Sequence, residues 1–183
     1  FSDSGISPHL LQVAPELRDR VLSINGISKA YAMTGWRLGW ATGPADVIKA
    51  MASYQSQTVG APSSISQEAA VVALRDCKTD VEQTRRTLKE RFSHAFEAFS
   101  SLSHCQVVRP DGAFYLWINV SEANKKLGLA SAHEFAQLLI EKVGVVAVPG
   151  NDFGDPDFLR ISYALPKESL DKAVERIEKV IMG

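Results

Sequence analysis

Asn25-Gly26-Ile27-Ser28-Lys29-Ala30-Tyr31-Ala32-Met33-Thr34-Gly35-Trp36-Arg37-Leu38-Gly39 is the stretch on which the reading of this chain turns. The apolar run at residues 21–24 reads as a strand that delivers Lys29 into a turn. A second run, residues 36–41, is ended by Gly43-Pro44 and reads as another strand, with Arg37 at its start between Gly35 and Gly39. Both strands are expected to be buried. The glycines let backbone approach a ligand closely. A lysine held in a poorly solvated pocket beside a second cation has its ammonium form disfavoured, which favours attack of its amine on a carbonyl. An arginine nearby can hold a phosphate through two parallel hydrogen bonds. A phosphorylated aldehyde would satisfy both groups. Taken singly, Lys29 is most simply a solvated loop lysine and Arg37 a hairpin arginine, because most such side chains are exposed. The joint pattern carries the weight.

Outward from this segment, residues 1–20, with Gly5, Pro8 and Pro15, read as an irregular lead-in with one helical turn. Val47, Ile48, Met51 and Tyr54 recur at helical spacing, and Gly60-Ala61-Pro62 stops that helix. Ser64 and Gln67 resemble a capping box for a second helix running through Leu74. Val81, Leu88, Phe92, Ala95, Phe96 and Phe99 mark a long amphipathic helix over residues 79–100 whose interleaved acids and bases form a solvated face. Beyond it, strands are expected at residues 106–109, 114–120, 145–149 and 159–163, with a Pro110-Asp111-Gly112 turn between the first two. Ser131 and Glu134 predict a capped helix to about Lys142, and a last helix begins near Pro166. This grammar predicts the end of an α/β domain over residues 1–80. A connecting helix and a smaller α+β domain on a mainly antiparallel sheet follow over residues 81–183.

The 183 residues carry 20 Lys+Arg against 21 Asp+Glu, a formal net charge of −1, which excludes capture of nucleic acid by bulk charge. With 45% apolar and 22% charged residues the composition is that of a globular protein. No stretch has the ~18–20 uninterrupted apolar residues of a membrane helix, and no secretory signal pattern opens the chain, so a cytoplasmic protein without a membrane partner is expected. Cys77 and Cys105 have no C-x-x-C pattern, and His9, His94, His104 and His133 have no ligand spacing, so no metal site is expected.

The Lys29 segment resembles the pyridoxal-phosphate attachment site of class I, fold-type I aminotransferases of the aspartate aminotransferase family. It is similar at the lysine, at the arginine and at both flanking glycines. The resemblance continues through Gln55-Ser56-Gln57 and Pro62-Ser63-Ser64-Ile65-Ser66-Gln67. It then takes in Pro110-Asp111-Gly112-Ala113-Phe114-Tyr115 and Val148-Pro149-Gly150-Asn151-Asp152-Phe153-Gly154. Phe158-Leu159-Arg160-Ile161-Ser162-Tyr163-Ala164 resembles the family's Arg-Ile-Ser-Tyr-Ala strand. Strand alternation puts Leu159, Ile161 and Tyr163 on one face, and Arg160 and Ser162 on the other.

The resemblance implies a fold class of α/β: the C-terminal part of the PLP-dependent transferase large domain plus a small α+β C-terminal domain. It implies pyridoxal 5'-phosphate as cofactor, with Lys29 as catalytic and cofactor-bearing residue, Arg37 on the phosphate and Arg160 on the substrate α-carboxylate. It further implies transfer of an amino group from an aspartate- or aromatic-class amino acid to a 2-oxo acid such as 2-oxoglutarate, by a homodimer. Phe114 and Tyr115 are candidates for lining the substrate pocket. The family's pyridine-nitrogen aspartate, ring-oxygen residues and phosphate loop lie well before its lysine, and the residues before Lys29 supply none of those motifs. The chain is therefore expected to match the C-terminal half of a family member and to be inactive alone. Two alternatives stay open: a fold-type I lyase or synthase, and a non-catalytic aminotransferase-like domain that senses an effector.

Overall fold

The computed structural model describes residues 8–183; the first part of the lead-in expected over residues 1–20 lies outside the described residues. Two compact units divide the chain, Ile6–Thr84 and one containing Arg85–Gly183.

In the first unit, helix α1 (Leu10–Val13) is a single turn capped by His9, and a 3-10 stretch follows over Pro15–Arg20. Strands β1 (Ser23–Gly26) and β2 (Gly39–Thr42) pair antiparallel, Ser23 opposite Thr42 and Gly26 opposite Gly39. Helices α2 (Ala45–Thr58) and α3 (Ser64–Asp76) follow. The division into units falls within α4 (Lys78–Ser100).

Three expectations are corrected here. The strand expected from Trp36 begins at Gly39, because Thr34–Trp36 form a 3-10 turn and Arg37 takes the left-handed conformation. The two strands are not buried: Ile24 is 74% exposed, whereas Ile27 just beyond β1 is fully buried. This sheet has two strands, and the described residues of the unit leave much of it uncovered. The capping box of α3 does not form. Its N-cap is Ser63, without a side-chain cap, and Gln67 Nε2 donates instead to the Pro62 carbonyl at 2.9 Å.

The second unit is built on a four-stranded antiparallel sheet. Strands β3 (Gln106–Val108) and β4 (Tyr115–Asn119) come first, then helices α5 (Ser121–Leu127) and α6 (Ala132–Val143). Strands β5 (Val148–Pro149) and β6 (Phe158–Ser162) and helix α7 (Lys167–Met182) complete it. The spatial order is β3-β4-β6-β5. Leu116, Ile118, Leu159 and Ile161 point inward and join one core with Phe92, Ala95 and Phe99 of α4, Phe135 and Leu139 of α6, and Leu170, Ile177 and Ile181 of α7. Each large apolar side chain buried there contributes roughly 1.5–3 kcal/mol. Ser131 caps α6 by accepting from Glu134 N, as its sequence predicts.

Strand β5 is shorter than expected. The Gly144 and Val145 amides turn back onto the Ile140 and Leu139 carbonyls at the end of α6, both at 3.1 Å. The Val145 donor is thereby spent on the helix terminus and is lost to a ladder. Helix α5 has no strong apolar period to announce it. Asn119 Oδ1 accepts from the Ser121 amide and hydroxyl at its start, at 3.0 and 2.7 Å, and Gly128 ends it in the left-handed conformation. Among the described residues no helix is long and apolar enough to cross a membrane.

Candidate active-site residues

Lys29 lies in the turn after β1, where its carbonyl accepts from Ala32 N at 3.3 Å. The Ile27 amide donates to the Leu38 carbonyl at 3.4 Å, closing the intervening segment into a loop. Lys29 and Arg37 therefore stand within two residues of the two ends of one closed loop. The paired glycines at its base have a packing reason. A Cβ on Gly39 would lie 2.8 Å from the Asn25 carbonyl oxygen, and one on Gly26 would lie 3.1 Å from that of Leu38. Their smallness thus serves strand-to-strand approach, while a Cβ on Gly35 would meet nothing within 4 Å.

Arg37 is held at φ 51°, ψ 47°, a left-handed conformation that costs a non-glycine residue of order 1 kcal/mol. Its Nη1 donates to the Thr34 carbonyl at 2.9 Å, which ties the guanidinium back over its own turn. That bond uses one of its donors; the side chain is exposed. Lys29 is exposed as well, so the poorly solvated pocket expected of a nucleophilic amine is not supplied by the described residues. An amine and a guanidinium thus stand near the two ends of one closed loop, the donor types that a carbonyl and a phosphate require.

Arg160 belongs to the second unit. It projects from the middle of β6 on the face away from the core, as alternation predicts, opposite Trp117 of β4 and Val148 of β5. Its Cζ lies 4.4 Å from the centroid of the Tyr115 ring and 4.3 Å from that of Phe153. The guanidinium is therefore stacked between two rings, and its buried Nε has no hydrogen-bond partner among the described residues. A buried donor left unsatisfied costs about 1–3 kcal/mol, so the arrangement is suited to an acceptor that arrives as a ligand. A carboxylate meets the planar fork with two parallel bonds.

The rings around Arg160 were only partly legible in the sequence. The sequence offers Tyr115 as a pocket candidate, whereas Phe153 stands in it only as part of a motif. Its ring comes from a 3-10 turn, Gly150–Phe153, that no periodicity announces. The other titratable groups lead elsewhere. Among the described residues no cluster of three or more His, Cys, Asp and Glu could hold a metal ion, and Cys77 and Cys105 are free thiols. The hollow of about 320 Å³ beside Leu170, Lys172 and Arg176 includes none of Lys29, Arg37 and Arg160 in its lining.

A lysine-and-arginine loop on an α/β unit, together with an arginine on the outer face of an antiparallel sheet, defines a class that whole-chain comparison makes definite. The chain belongs to the family described as aminotransferase class I and II, whose model matches residues 2–177. It is 39% identical over 172 residues to the aspartate aminotransferase of Bacillus sp. (strain YM-2), covering 94% of this chain and 44% of that protein. The aspartate aminotransferase of Rhizobium meliloti superposes with a TM-score of 0.90 at 36% identity, over 99% of this chain and 47% of that one. The aromatic aminotransferase of Pyrococcus horikoshii OT3 does so with a TM-score of 0.89 at 30% identity, over 100% of this chain and 48% of that one. The chain thus spans less than half the length of the relatives it matches.

Proposed function

We propose that this chain supplies three working residues of a pyridoxal-phosphate-dependent aminotransferase. The enzyme moves an amino group from an aspartate- or aromatic-class amino acid to a 2-oxo acid such as 2-oxoglutarate, and acts as a homodimer in the cytoplasm. The observation that carries the reading is the Arg160 guanidinium, stacked between two rings with a buried donor awaiting an acceptor. Family membership and the names of the relatives, which include both aspartate and aromatic aminotransferases, support it.

Lys29 and Arg37 are the residues to hold the cofactor, Lys29 by its amine at the carbonyl end and Arg37 by its guanidinium at the phosphate. When bound, pyridoxal phosphate supplies an electron sink that acidifies the hydrogen on the amino acid's Cα. Once the substrate's amino group had taken its place at that carbonyl, the freed Lys29 Nζ would take the Cα proton as general base and deliver a proton as general acid in the same turnover. Arg37 fixes the anionic end, so that the lysine works from a constant position. Arg160 binds the substrate α-carboxylate in the plane of its fork, which fixes the orientation of the bound amino acid. Positioning of this kind contributes several kcal/mol to the rate.

The test is chemical capture. Full-length protein is incubated with pyridoxal 5'-phosphate, reduced with borohydride and digested, and the labelled peptide is identified by mass spectrometry. The label is expected on Lys29 and is lost in Lys29→Ala. A label on another lysine, or full labelling of Lys29→Ala, overturns the assignment.

A further inference from the structure

The carboxylate reading of Arg160 leaves open what keeps a long, flexible side chain in a single pose. The outer face of the four-stranded sheet answers this with aromatic rings. Tyr115 comes from β4, which is hydrogen-bonded to β6 and paired in register with it, Tyr115 opposite Ser162. Its backbone is therefore fixed relative to that of Arg160. The second ring, Phe153, comes from the 3-10 turn Gly150–Phe153 and is 49% exposed. Burial alone is a weak reason for a phenylalanine there. Its contacts are with Arg160, 4.3 Å from ring centroid to Cζ, and with Trp117, 5.9 Å between centroids at an interplanar angle of 82°. Trp117 is itself stacked on Phe158, 5.1 Å between centroids and 9° from parallel. The Phe153 ring is thus backed by an aromatic pair anchored on two sheet strands.

Resting on the carboxylate reading, we infer that Phe153 is a positioning residue for substrate recognition. With Tyr115 it flanks the guanidinium carbon, the two ring centroids 4.3 and 4.4 Å from Cζ, and leaves the donors to a carboxylate. A guanidinium donates only in its own plane. Two rings packed on the guanidinium carbon therefore restrict rotation without occupying a donor, and lower the entropy lost when the carboxylate binds. The device recognises the carboxylate group that every amino-acid and oxo-acid substrate shares, and is indifferent to the side chain. It acts equally on substrate and transition state, so its loss raises KM more than it lowers kcat.

The experiment uses full-length holoenzyme and four variants, Phe153→Ala, Phe153→Leu, Phe153→Tyr and Arg160→Ala. Maleate binding is measured by calorimetry, KM and kcat with an acidic and an aromatic amino acid, and thermal midpoints alongside. A cation–ring contact of this size corresponds to a factor of about five to thirty in binding. Phe153→Ala is expected to weaken maleate by that factor and to raise both KM values alike, with a smaller change in kcat and an unchanged midpoint. Phe153→Leu keeps apolar bulk without a π face and is expected to remain weak, whereas Phe153→Tyr restores binding. Leucine binding maleate like wild type, or alanine having no effect while Arg160→Ala abolishes binding, overturns the clamp alone. Unchanged maleate binding in Arg160→Ala overturns the carboxylate reading beneath it.

Discussion

Replacing Gly150 by alanine should damage this protein more than any other glycine-to-alanine change in the Gly150–Gly154 loop, and the reason is space. A Cβ built on Gly150 falls 2.2 Å from the Asp155 carbonyl oxygen, 2.7 Å from Trp117 Cη2 and 2.9 Å from the Phe158 carbonyl oxygen. Two of these are backbone atoms, and the first contact is more than an ångström inside ordinary van der Waals separation, which begins at 3.4 Å. Asp155 cannot simply retreat, because its amide donates to the Gly150 carbonyl at 3.1 Å and closes the turn. Overpacking of this kind costs about 1–3 kcal/mol, and losing the closing bond adds about 1 kcal/mol. The expected penalty is therefore about 2–4 kcal/mol. Gly154 provides the internal control. Its φ is +88°, but a Cβ there meets nothing within 4 Å, so Gly154→Ala pays only for backbone strain, of order 1 kcal/mol. Urea unfolding of the full-length protein, followed by tryptophan fluorescence, measures both changes through the shift in midpoint at constant slope. A Gly150→Ala protein as stable as wild type, or no less stable than Gly154→Ala, would refute the reasoning. Because the same turn carries Phe153, Gly150→Ala should also weaken carboxylate binding.

Other expectations follow from contacts within the second unit. Tyr163 is fully buried and its hydroxyl donates to the Ala113 carbonyl at 2.8 Å, next to the Pro110-Asp111-Gly112 turn. Tyr163→Phe should cost about 1 kcal/mol in urea unfolding, and a neutral result would mean that this bond contributes nothing. Burial, reinforced by the nearby Glu178 carboxylate, pushes the Cys105 thiol up to about 11. Iodoacetamide should therefore label it slowly in native protein at pH 8, and fast native labelling at that pH contradicts the assignment. A raised folded value means that this stabilisation is complete below the unfolded thiol value, ~8.5, and is lost as pH climbs through about 11. The Ser103 hydroxyl and amide, donating at 2.6 and 2.9 Å, hold the Glu178 carboxyl below its usual range. The corresponding stability is present above the unfolded carboxyl value, ~4.3, and fades as pH falls through the lowered one. Ser103→Ala should flatten that acid limb in pH-dependent melts; an unaltered limb would show that the pair does not act.

The parts of this protein that are local in sequence are legible in the sequence itself. Helices α2, α4 and α7 follow from three- and four-residue spacing, because a helix sorts its own side chains onto faces whatever it packs against, and α6 follows from its Ser131 cap. The outward projection of Arg160 from β6 follows from strand alternation in the same way. Lys29, Arg37 and Arg160 were all found as residue types in a motif. Legibility failed where an outcome depended on a partner distant in the chain. The burial expected of β1 and β2 depends on what covers them, and apolar runs do not encode that. The first residues expected in β5 were lost to the end of α6, because the Val145 amide is turned onto the Leu139 carbonyl.

The sequence by itself therefore determined the main helices, the face of β6 on which Arg160 stands, and the residue types that are candidates for the chemistry. Tertiary structure alone decided that Arg160 meets the Tyr115 and Phe153 rings, and that Gly150 must be bare where Asp155, Trp117 and Phe158 close on it. Ring stacking and steric exclusion act between atoms brought together by a sheet and a turn, and no spacing along the chain records such a meeting.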